Sequence, residues 1–230
     1  MKEQLKNWAR TVRKSYITSK ARKNMPAHLR MDVTAVSIEK GHHNVTYRGV
    51  KAIRCPFDYV IYQMILSEVK PDLVIEIGTN IGGGALYIAD LLERLGDGVM
   101  HSIDIKDQAD SLVKNHPRIK LFTNGWEEYD LALTANYSNI LVIEDGSHEY
   151  SSSLAALHKF SPLVGMGSYY IVEDGIIDEL GMSNSYNGGP LKATLEFLAT
   201  NRDFEIDAKW CNFFGKNATF NTQGYLKRVR

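Results

Sequence analysis

The sequence predicts an α/β fold of the Rossmann-like, doubly wound type, with a mostly parallel seven-stranded sheet and one antiparallel strand at the C-terminus. Three observations support this prediction. From residue 56 onward, short apolar runs alternate with runs that have helical spacing. The run Leu73–Ile77 is rich in β-branched residues and leads directly into a glycine-rich turn. The last two apolar runs have no helical pattern between them, so we expect them to pair antiparallel.

The individual elements follow in chain order. Pro56 suits the first turn of a helix, and that helix should end before Pro71. The predicted strands are Leu73–Ile77, Val99–Ile105, Ile119–Phe122, Ile140–Ile143, Ser168–Val172, Phe204–Asp207 and Gly224–Val229. The predicted helices between them are Ala85–Leu95, Gln108–Asn115, Trp126–Ala135, Ser151–Phe160 and Leu191–Leu198.

Residues 1–50 are predicted to form a basic N-terminal arm with a helical extension, separate from a domain that spans residues 51–230. The first thirty residues hold nine Lys and Arg and one acid, Glu3, although the whole chain has 27 basic and 27 acidic residues. The overall charge therefore gives no argument for nucleic-acid binding. The scattered apolar residues of the arm need a surface, so we expect them to pack on a neighbouring subunit of a homo-oligomer or to cover the ligand crevice.

Two further features indicate the compartment. No apolar run is long enough to span a bilayer, and the N-terminus lacks the apolar core of a signal peptide. The two cysteines, Cys55 and Cys211, are too few for a disulfide framework or a zinc site. We therefore expect a soluble, cytoplasmic protein that binds neither nucleic acid nor a membrane.

The turn after the first predicted strand of the sheet indicates a cofactor crevice. Its glycines allow backbone to approach a ligand, and the following helix directs its N-terminal N–H groups there. The dinucleotide fingerprint requires a glycine where Asn80 stands, and Glu76 suits a cation better than a pyrophosphate. The spacing E-x-G-x-x-x-G-G resembles the first motif of S-adenosylmethionine (SAM)-dependent methyltransferases, with Glu76 facing the methionine ammonium. A nicotinamide cofactor and a purely structural turn remain the alternatives.

The next two strand ends supply residues for the same crevice. Asp104 follows the second predicted strand of the sheet, where an acid can accept hydrogen bonds from ribose hydroxyls. Both NAD and SAM carry that ribose, and a helix cap is the alternative role. Gly125 and Trp126 follow the third strand and are placed to line an adenine, with ordinary packing as the alternative for Trp126.

Acidic residues end two strands that should be neighbours in the sheet. Glu144 and Asp145 follow one strand, and Glu173 and Asp174 follow the next. Adjacent strands lie about 5 Å apart, so these carboxylates would repel one another unless a cation lies between them. Oxygen ligands with room for water or substrate suit Mg²⁺. Asp145, Glu173 and Asp174 are therefore the predicted metal ligands, with helix capping and simple solvation as the alternatives.

His148 lies three residues after Asp145, at a strand-to-helix turn beside the predicted metal and crevice. An imidazole at this position can take a proton from a substrate hydroxyl, although a lone histidine is more often structural. The remaining histidines have no such context; they are His28, His42, His43, His101, His116 and His158.

From about Tyr47 to the C-terminus the chain resembles the cephalosporin hydroxylase/rhamnosyl O-methyltransferase family. The segments that carry the resemblance are Tyr47-Arg48-Gly49, Pro56, Tyr62-Gln63, Pro71-Asp72, Glu76-Ile77-Gly78, Gly82-Gly83, Asp145-Gly146-Ser147-His148, Glu173-Asp174, Gly189-Pro190 and Gly224-Tyr225-Leu226. Macrolide sugar methyltransferases are similar at the D-G-S-H segment, where the aspartate is a metal ligand and the histidine a candidate base. Two features depart from the family. The glycine turn has Asn80 and a third glycine, Gly84, where the family often has serine, and the basic arm before residue 40 matches nothing recognisable.

The resemblance implies a class I methyltransferase fold and a SAM- and Mg²⁺-dependent O-methyltransferase. The acceptor would be a hydroxyl of a sugar, polyketide or similar small molecule, with a neighbouring oxygen that chelates the metal. His148 or Asp145 would take the proton, and the loop Ile176–Gly189 would act as a lid. The implied cofactor-binding residues are Glu76, Gly78, Thr79, Asn80, Gly82, Gly83, Asp104, Gly125, Trp126 and Asp145. An oxidoreductase with the same crevice and a non-catalytic SAM-binding or scaffold protein remain the alternatives.

Overall fold

The computed structural model describes residues 2–230 and divides the chain into two compact units, residues 1–34 and 35–230. The first unit holds helix α1 (Lys2–Asn24) and a short 3-10 turn at Ala27–Leu29. No described side chain of α1 is buried. Helix α1 thus lies within residues 1–50, and the compact units divide after residue 34. The reason is that the segment from residue 35 packs with the sheet unit.

The second unit contains the remaining elements. Its helices are α2 (Ala35–His42), α3 (Pro56–Val69), α4 (Gly83–Leu95), α5 (Ser111–Lys114), α6 (Tyr150–Phe160), α7 (Gly189–Thr200) and α8 (Ala208–Cys211). Its strands are β1 (Thr46–Tyr47), β2 (Val50–Lys51), β3 (Leu73–Ile77), β4 (Val99–Ile103), β5 (Ile119–Phe122), β6 (Ile140–Glu144), β7 (Tyr169–Val172), β8 (Phe204–Ile206) and β9 (Tyr225–Arg228). No helix in the described part of the chain has both the length and the apolar character needed to cross a bilayer.

Seven strands form the main sheet in the order β5-β4-β3-β6-β7-β9-β8, and β1 pairs with β2 as a separate antiparallel hairpin. The strands from β5 to β7 are parallel, whereas β9 runs antiparallel to both of its neighbours. The predicted fold class is confirmed. Because the chain moves outward from β3 on one side and then returns to place β6 on the other, the strand order reverses between β3 and β6. Ligands of open α/β sheets bind at the carboxyl ends of such a pair.

The core explains why β3 is apolar at every position except Glu76. Val74 belongs to a buried cluster that includes α3 and α4, while Ile75 belongs to a second cluster that includes α6 and α7. Successive residues of a strand point to opposite faces, and both faces of this sheet are covered by helices. Every residue of β3 is buried, so its carboxyl end is a rigid platform for the turn that follows.

The prediction of a helix over Trp126–Ala135 is wrong. Only Leu131–Thr134 is helical, as a short 3-10 turn that begins where Asp130 accepts a hydrogen bond from the Ala132 N–H. Aromatic packing shapes the residues before it, since Trp126 and Tyr129 both pack against Phe160. The helix predicted at Gln108–Asn115 shortens to Ser111–Lys114 because the Asp110 side chain caps it.

Candidate functional site

A cavity of about 660 Å³ lies at the carboxyl ends of β3, β4, β6 and β7, where the strand order reverses. This volume is within the range of small-molecule sites. Its wall combines residues from the glycine turn after β3, the ends of β4, β6 and β7, helix α2 and the segment after β7. Residues that are distant in sequence therefore meet in one space.

The glycine turn is held against β6 so tightly that only glycine fits at its start. Gly78 has a φ of +101°, and a Cβ there would lie 1.8 Å from the Asp145 carbonyl oxygen. Two residues on, Asn80 also has a left-handed backbone, with a φ of +51°, and its N–H donates to Asp104 at 2.7 Å. At Gly82 a Cβ would meet the Val113 side chain at 2.8 Å. The turn is therefore shaped by its neighbours and opens toward the cavity.

Asp104 lies in the cavity wall and also fastens the glycine turn. Its Oδ2 accepts from the Asn80 N–H, and its Oδ1 accepts from the N–H groups of Ile105 and Lys106. A carboxylate has about four acceptor sites, so one remains for a ligand. The capping role and the predicted ribose role thus coexist in one side chain. Gly125 and Trp126 line the same end of the cavity.

Four residues predicted to bind the cofactor do not line the cavity: Glu76, Thr79, Gly82 and Gly83. Glu76 is 2% exposed and accepts a 2.6 Å hydrogen bond from the Ser102 hydroxyl, and it does not line the cavity. Thr79 shares a hydrogen bond with the same Ser102. Gly83 lies against β2, where a Cβ would be 2.2 Å from the Lys51 carbonyl oxygen. Glu76 and Thr79 thus meet at Ser102, and Gly83 packs against β2, so these residues support the turn.

Asp145, His148 and Asp174 converge at the other end of the cavity, with possible ligand atoms within 4.8 Å of one another. The His148 Nε2 is 3.3 Å from an Asp174 carboxylate oxygen. Both residues have left-handed backbones, with φ near +58° and +57°, which costs about 1 kcal/mol each outside glycine. Backbone strain of this kind concentrates at functional sites, and here it affects both members of the pair.

Glu173 lies in the same wall but is already engaged. Its Oε1 accepts from the Tyr62 hydroxyl and pairs with Arg54 Nη2, each at 2.7 Å, and its Oε2 accepts from Arg54 Nε at 3.0 Å. Oε1 is therefore saturated, while Oε2 keeps one acceptor site. Arg54 also lies 3.5 Å from Glu76 and 3.6 Å from Asp145. Sequence reasoning did not single out Arg54, because its partners lie up to 119 residues away.

The charge balance at this end of the cavity fits a cation. One guanidinium faces the carboxylates of Glu76, Asp145 and Glu173, so the cluster has fewer positive than negative groups. Burial raises the pKa of Asp145 well above its usual range, and repulsion from Glu173 and Asp174 adds to this shift. Burial likewise raises the pKa of Glu173 against the opposing charge of Arg54. Carboxylates under such repulsion are typical of a site that holds a divalent metal.

The outer wall comes from two segments. Met182 and Tyr186 belong to the predicted lid, and the Tyr186 ring meets the His148 ring edge-on at 5.7 Å between centroids. Helix α2 contributes Glu39 and His42, and the next residue contributes His43; sequence reasoning did not single out these three. Helical periodicity alone could not have shown which face of α2 meets the cavity.

Comparisons with known proteins agree with this geometry. A family profile described as Rhamnosyl O-methyltransferase/CmcI matches residues 39–229. The rhamnosyl O-methyltransferase of Mycobacterium tuberculosis (strain H37Rv) is 30% identical over 192 residues, covering 80% of this chain and 78% of the relative. That of Mycobacterium leprae is 29% identical over 197 residues, with coverages of 81% and 84%.

Solved structures show the same fold at low sequence identity. CmcI in its Mg-SAM form aligns with a TM-score of 0.63 and 20% identity, over 90% of this chain and 86% of the other. An O-methyltransferase from Bacillus cereus in complex with SAH, the demethylated product of SAM, aligns with a TM-score of 0.54 and 15% identity, with coverages of 89% and 94%.

Proposed function

Because this chain belongs to the rhamnosyl O-methyltransferase/CmcI family, we propose that it is a SAM-dependent, Mg²⁺-assisted O-methyltransferase that acts on a hydroxyl of a small molecule such as a sugar or polyketide. One observation carries the proposal beyond family membership. A single cavity joins the glycine turn and Asp104 at one end to the cluster of Asp145, His148 and Asp174 at the other. Methyl transfer needs such an arrangement, since a sulfonium donor and a hydroxyl acceptor must meet in line.

The cofactor end would hold SAM through the turn and two strand ends. The backbone of Gly78 and Asn80, which line the cavity, would border the methionine part, and Gly82 would complete the turn. Asp104 has one acceptor site for the ribose. Gly125 and Trp126 border the adenine. Glu76 accepts a hydrogen bond from Ser102 and pairs with Arg54, and its predicted contact with the methionine ammonium stays part of this proposal.

The acidic end would hold Mg²⁺ through Asp145, Asp174 and the free acceptor site of Glu173 Oε2. The deficit of positive charge among these carboxylates supports this role. When bound, the metal would supply a Lewis acid that lowers the pKa of a chelated acceptor hydroxyl. The residues themselves fix where such a hydroxyl can sit, because each ends a buried strand.

His148 is the base that we propose for the acceptor hydroxyl. Its pairing with Asp174 through Nε2 favours the tautomer in which Nε2 carries the proton and Nδ1 the lone pair. Nδ1 would take the hydroxyl proton as the acceptor oxygen bonds to the methyl group and the sulfonium leaves as a neutral thioether. Asp145 is the alternative base. Met182 and Tyr186 in the predicted lid Ile176–Gly189 would help to exclude water.

A ligand-binding experiment tests the cofactor assignment. SAM and SAH should each raise the melting temperature through mass action, while NAD should not. The Asp104→Ala variant should lose most of the shift, since it lacks the ribose acceptor and the anchor of the turn. A shift with NAD alone would instead support an oxidoreductase. Binding of SAM without methyl transfer to any of a panel of sugar and polyketide hydroxyls would support a non-catalytic SAM-binding protein.

The charge and the apolar residues of the N-terminal segment 2–34 support a proposal that the chain associates with a second copy of itself. Residues 2–34 carry nine Lys and Arg and two acids, so the rest carries eighteen basic and twenty-five acidic residues. Leu5, Trp8, Val12 and Tyr16 recur at spacings of three and four on α1, and all are about half exposed or more. This narrow stripe suits packing against another protein surface better than a bilayer, and the acidic unit of a partner complements the basic arm.

Sedimentation of the full chain should therefore reveal an oligomer that weakens as salt is raised. Removal of residues 1–34 should yield a monomer, and Trp8→Ser should weaken association without loss of fold. Deletion that leaves the sedimentation coefficient consistent with an unchanged oligomer would contradict this role of the arm.

A further inference from the structure

We propose that Arg54 is a positioning residue for the metal cluster, and that Gly84 provides the space in which its guanidinium lies. The inference rests on the metal site of the proposed function and assigns a role to two residues outside the predicted ligand set. Arg54 is 4% exposed and reaches Glu173 from just before α3.

The contact between Arg54 and Glu173 places opposite charges together and also fixes the plane of the Glu173 carboxylate. Nη2 lies 2.7 Å from Oε1 and Nε donates to Oε2 at 3.0 Å, so two adjacent guanidinium nitrogens face both carboxylate oxygens. This bidentate geometry defines the orientation of the carboxylate, which a lysine ammonium cannot do. Tyr62 fixes Oε1 from another direction, and its own hydroxyl accepts a hydrogen bond from Asn221 at 2.9 Å. The one free acceptor site of Glu173 is thus held in a set direction.

Gly84 explains how a buried guanidinium fits beside helix α4. A Cβ at this position would lie 2.9 Å from Arg54 Nη1 and 3.3 Å from Cζ. Gly84 does not have a positive φ, so its backbone conformation does not require glycine. Glycine near the start of a helix also lowers helix stability relative to alanine. The space that it leaves for Arg54 is the structural reason for its presence.

Arg54 Nη1 is buried and lacks a hydrogen-bond partner within residues 2–230. A neutral residue would avoid this unsatisfied donor. The Arg54 side chain nevertheless occupies this position. Its Nε and Nη2 atoms form a fork that contacts Glu173, and its Nη1 atom lies against Gly84. This arrangement favours a role in which the orientation of the fork matters.

Two roles for Arg54 predict opposite results when its charge is removed. If Arg54 were only a counterion, its loss would leave the carboxylates more negative and would tighten the binding of a divalent cation. If Arg54 orients Glu173, its loss weakens cation binding, as the loss of residues that orient metal ligands commonly does. The sign of the change separates the two roles without any measurement of turnover.

The experiment measures Mn²⁺ binding by electron paramagnetic resonance, and Mg²⁺ binding by calorimetry, on the full chain with SAH and no acceptor. Arg54→Met should weaken binding by about 10- to 100-fold. Arg54→Lys keeps the charge without the fork and should recover only part of that loss. Gly84→Ala should weaken binding several-fold by displacing the guanidinium. Gly41→Ala is the matched control and should change nothing, because Gly41 is also helical and a Cβ there has no atom within 4 Å.

Near-ultraviolet circular dichroism and SAH affinity establish that each variant is folded. If Arg54→Met does not fold, the two single variants Arg54→Lys and Gly84→Ala test the proposal. Unchanged or tighter Mn²⁺ binding in the folded variants, with normal binding by the wild type, overturns this inference alone. A wild type that binds SAH but neither metal overturns the metal site of the proposed function as well.

Discussion

Two clusters in this protein each combine two carboxylates with one histidine but have different surroundings. Asp145, His148 and Asp174 face the cavity, whereas Asp90, Glu93 and His116 lie beside the β1–β2 hairpin. In each cluster the possible ligand atoms lie within 4.8 Å of one another. Residue types and distances alone would therefore assign a metal to both.

The cluster beside the hairpin is internally satisfied. The Asp90 carboxylate accepts from the Tyr47 hydroxyl at 2.8 Å, from Arg48 Nη1 at 3.0 Å and from His116 Nε2 at 3.1 Å. His116 Nδ1 accepts from the Arg118 N–H, so Nε2 must carry the proton and has no lone pair for a metal. This cluster fastens the hairpin to α4 and to the segment before β5.

The cavity cluster has acceptor sites to spare. Within the described part of the chain, the Asp145 carboxylate has a 3.6 Å ion pair with Arg54 and no closer polar partner, and Asp174 pairs with His148. The number of hydrogen bonds that each carboxylate already accepts, and not the residue types, therefore distinguishes a ligand site from a structural cluster. The predictions below test that distinction by changing matched residues in the two clusters.

The largest expected difference is in methyl transfer after removal of one carboxylate charge. Asp145→Asn should abolish transfer of the SAM methyl group to the acceptor, because a metal ligand is lost, while SAH still binds. Without metal this variant should be as stable as the wild type or slightly more so, since repulsion is relieved. Asp90→Asn should retain full activity. Methyl transfer at the wild-type rate by Asp145→Asn, or by EDTA-treated protein, would remove the metal from the mechanism.

The two histidines should differ by several orders of magnitude. His148→Ala should lower kcat by about 10²- to 10⁴-fold, the usual contribution of a general base, with little change in SAM affinity. His116→Ala should leave kcat unchanged. If His148→Ala retains activity within a few-fold, then Asp145 or water takes the proton.

Stability should be lowered by the change in the hairpin cluster and not by the change in the cavity cluster. Asp90→Asn weakens three hydrogen bonds of which one donor, Arg48, is 45% exposed, so we expect a loss of about 1–2 kcal/mol. In a protein of this size that corresponds to a fall in Tm of about 2–8 °C. Calorimetry of Asp90→Asn and Asp145→Asn in EDTA should show this loss only in the first variant. Equal losses in both would mean that the cavity cluster is also structural.

The smallest expected difference is in the pH dependence of stability. Although burial opposes it, hydrogen bonds from Tyr47, Arg48 and His116 lower the pKa of Asp90, so its contribution is present above about pH 4 and is lost as pH falls further. Burial raises the pKa of Glu76 to about 7, so the folded state binds more protons than the unfolded state between about pH 4.5 and 7. The free energy of unfolding in EDTA should therefore decrease as pH rises from about 4.5 to 7.

Thermal unfolding in EDTA at several pH values measures this slope. Glu76→Gln should reduce it, while Asp90→Asn should change the profile only below about pH 4. An identical slope in wild type and Glu76→Gln would show that Glu76 is ionised in the folded protein throughout this range.

Strand ends were the part of the site that could be predicted from sequence. Asp104, Asp145 and Asp174 each follow a recognisable apolar run, and parallel strands bring such ends to one edge. Arg54 could not be found in this way because it lies before a helix and reaches the site only through the packing of α3. Periodicity likewise does not show that the Glu76 side chain contacts Ser102 and Arg54.

The main elements of the fold were predicted well because burial on both faces makes strands continuous apolar runs. The helix expected at Trp126–Ala135 failed because aromatic side chains there pack individually against Phe160. Helical spacing in a short segment does not distinguish these two outcomes.

The contact between Gly78 and Asp145 has a consequence for how this protein tolerates change. The glycine backbone fills the space next to the Asp145 carbonyl oxygen, and the Asp145 N–H donates to Ile77. Gly78, which has no side chain, thereby constrains the loop that carries the Asp145 carboxylate into the cavity. In a saturation scan, position 78 should be as intolerant as position 145, and few second-site revertants should be recovered at either.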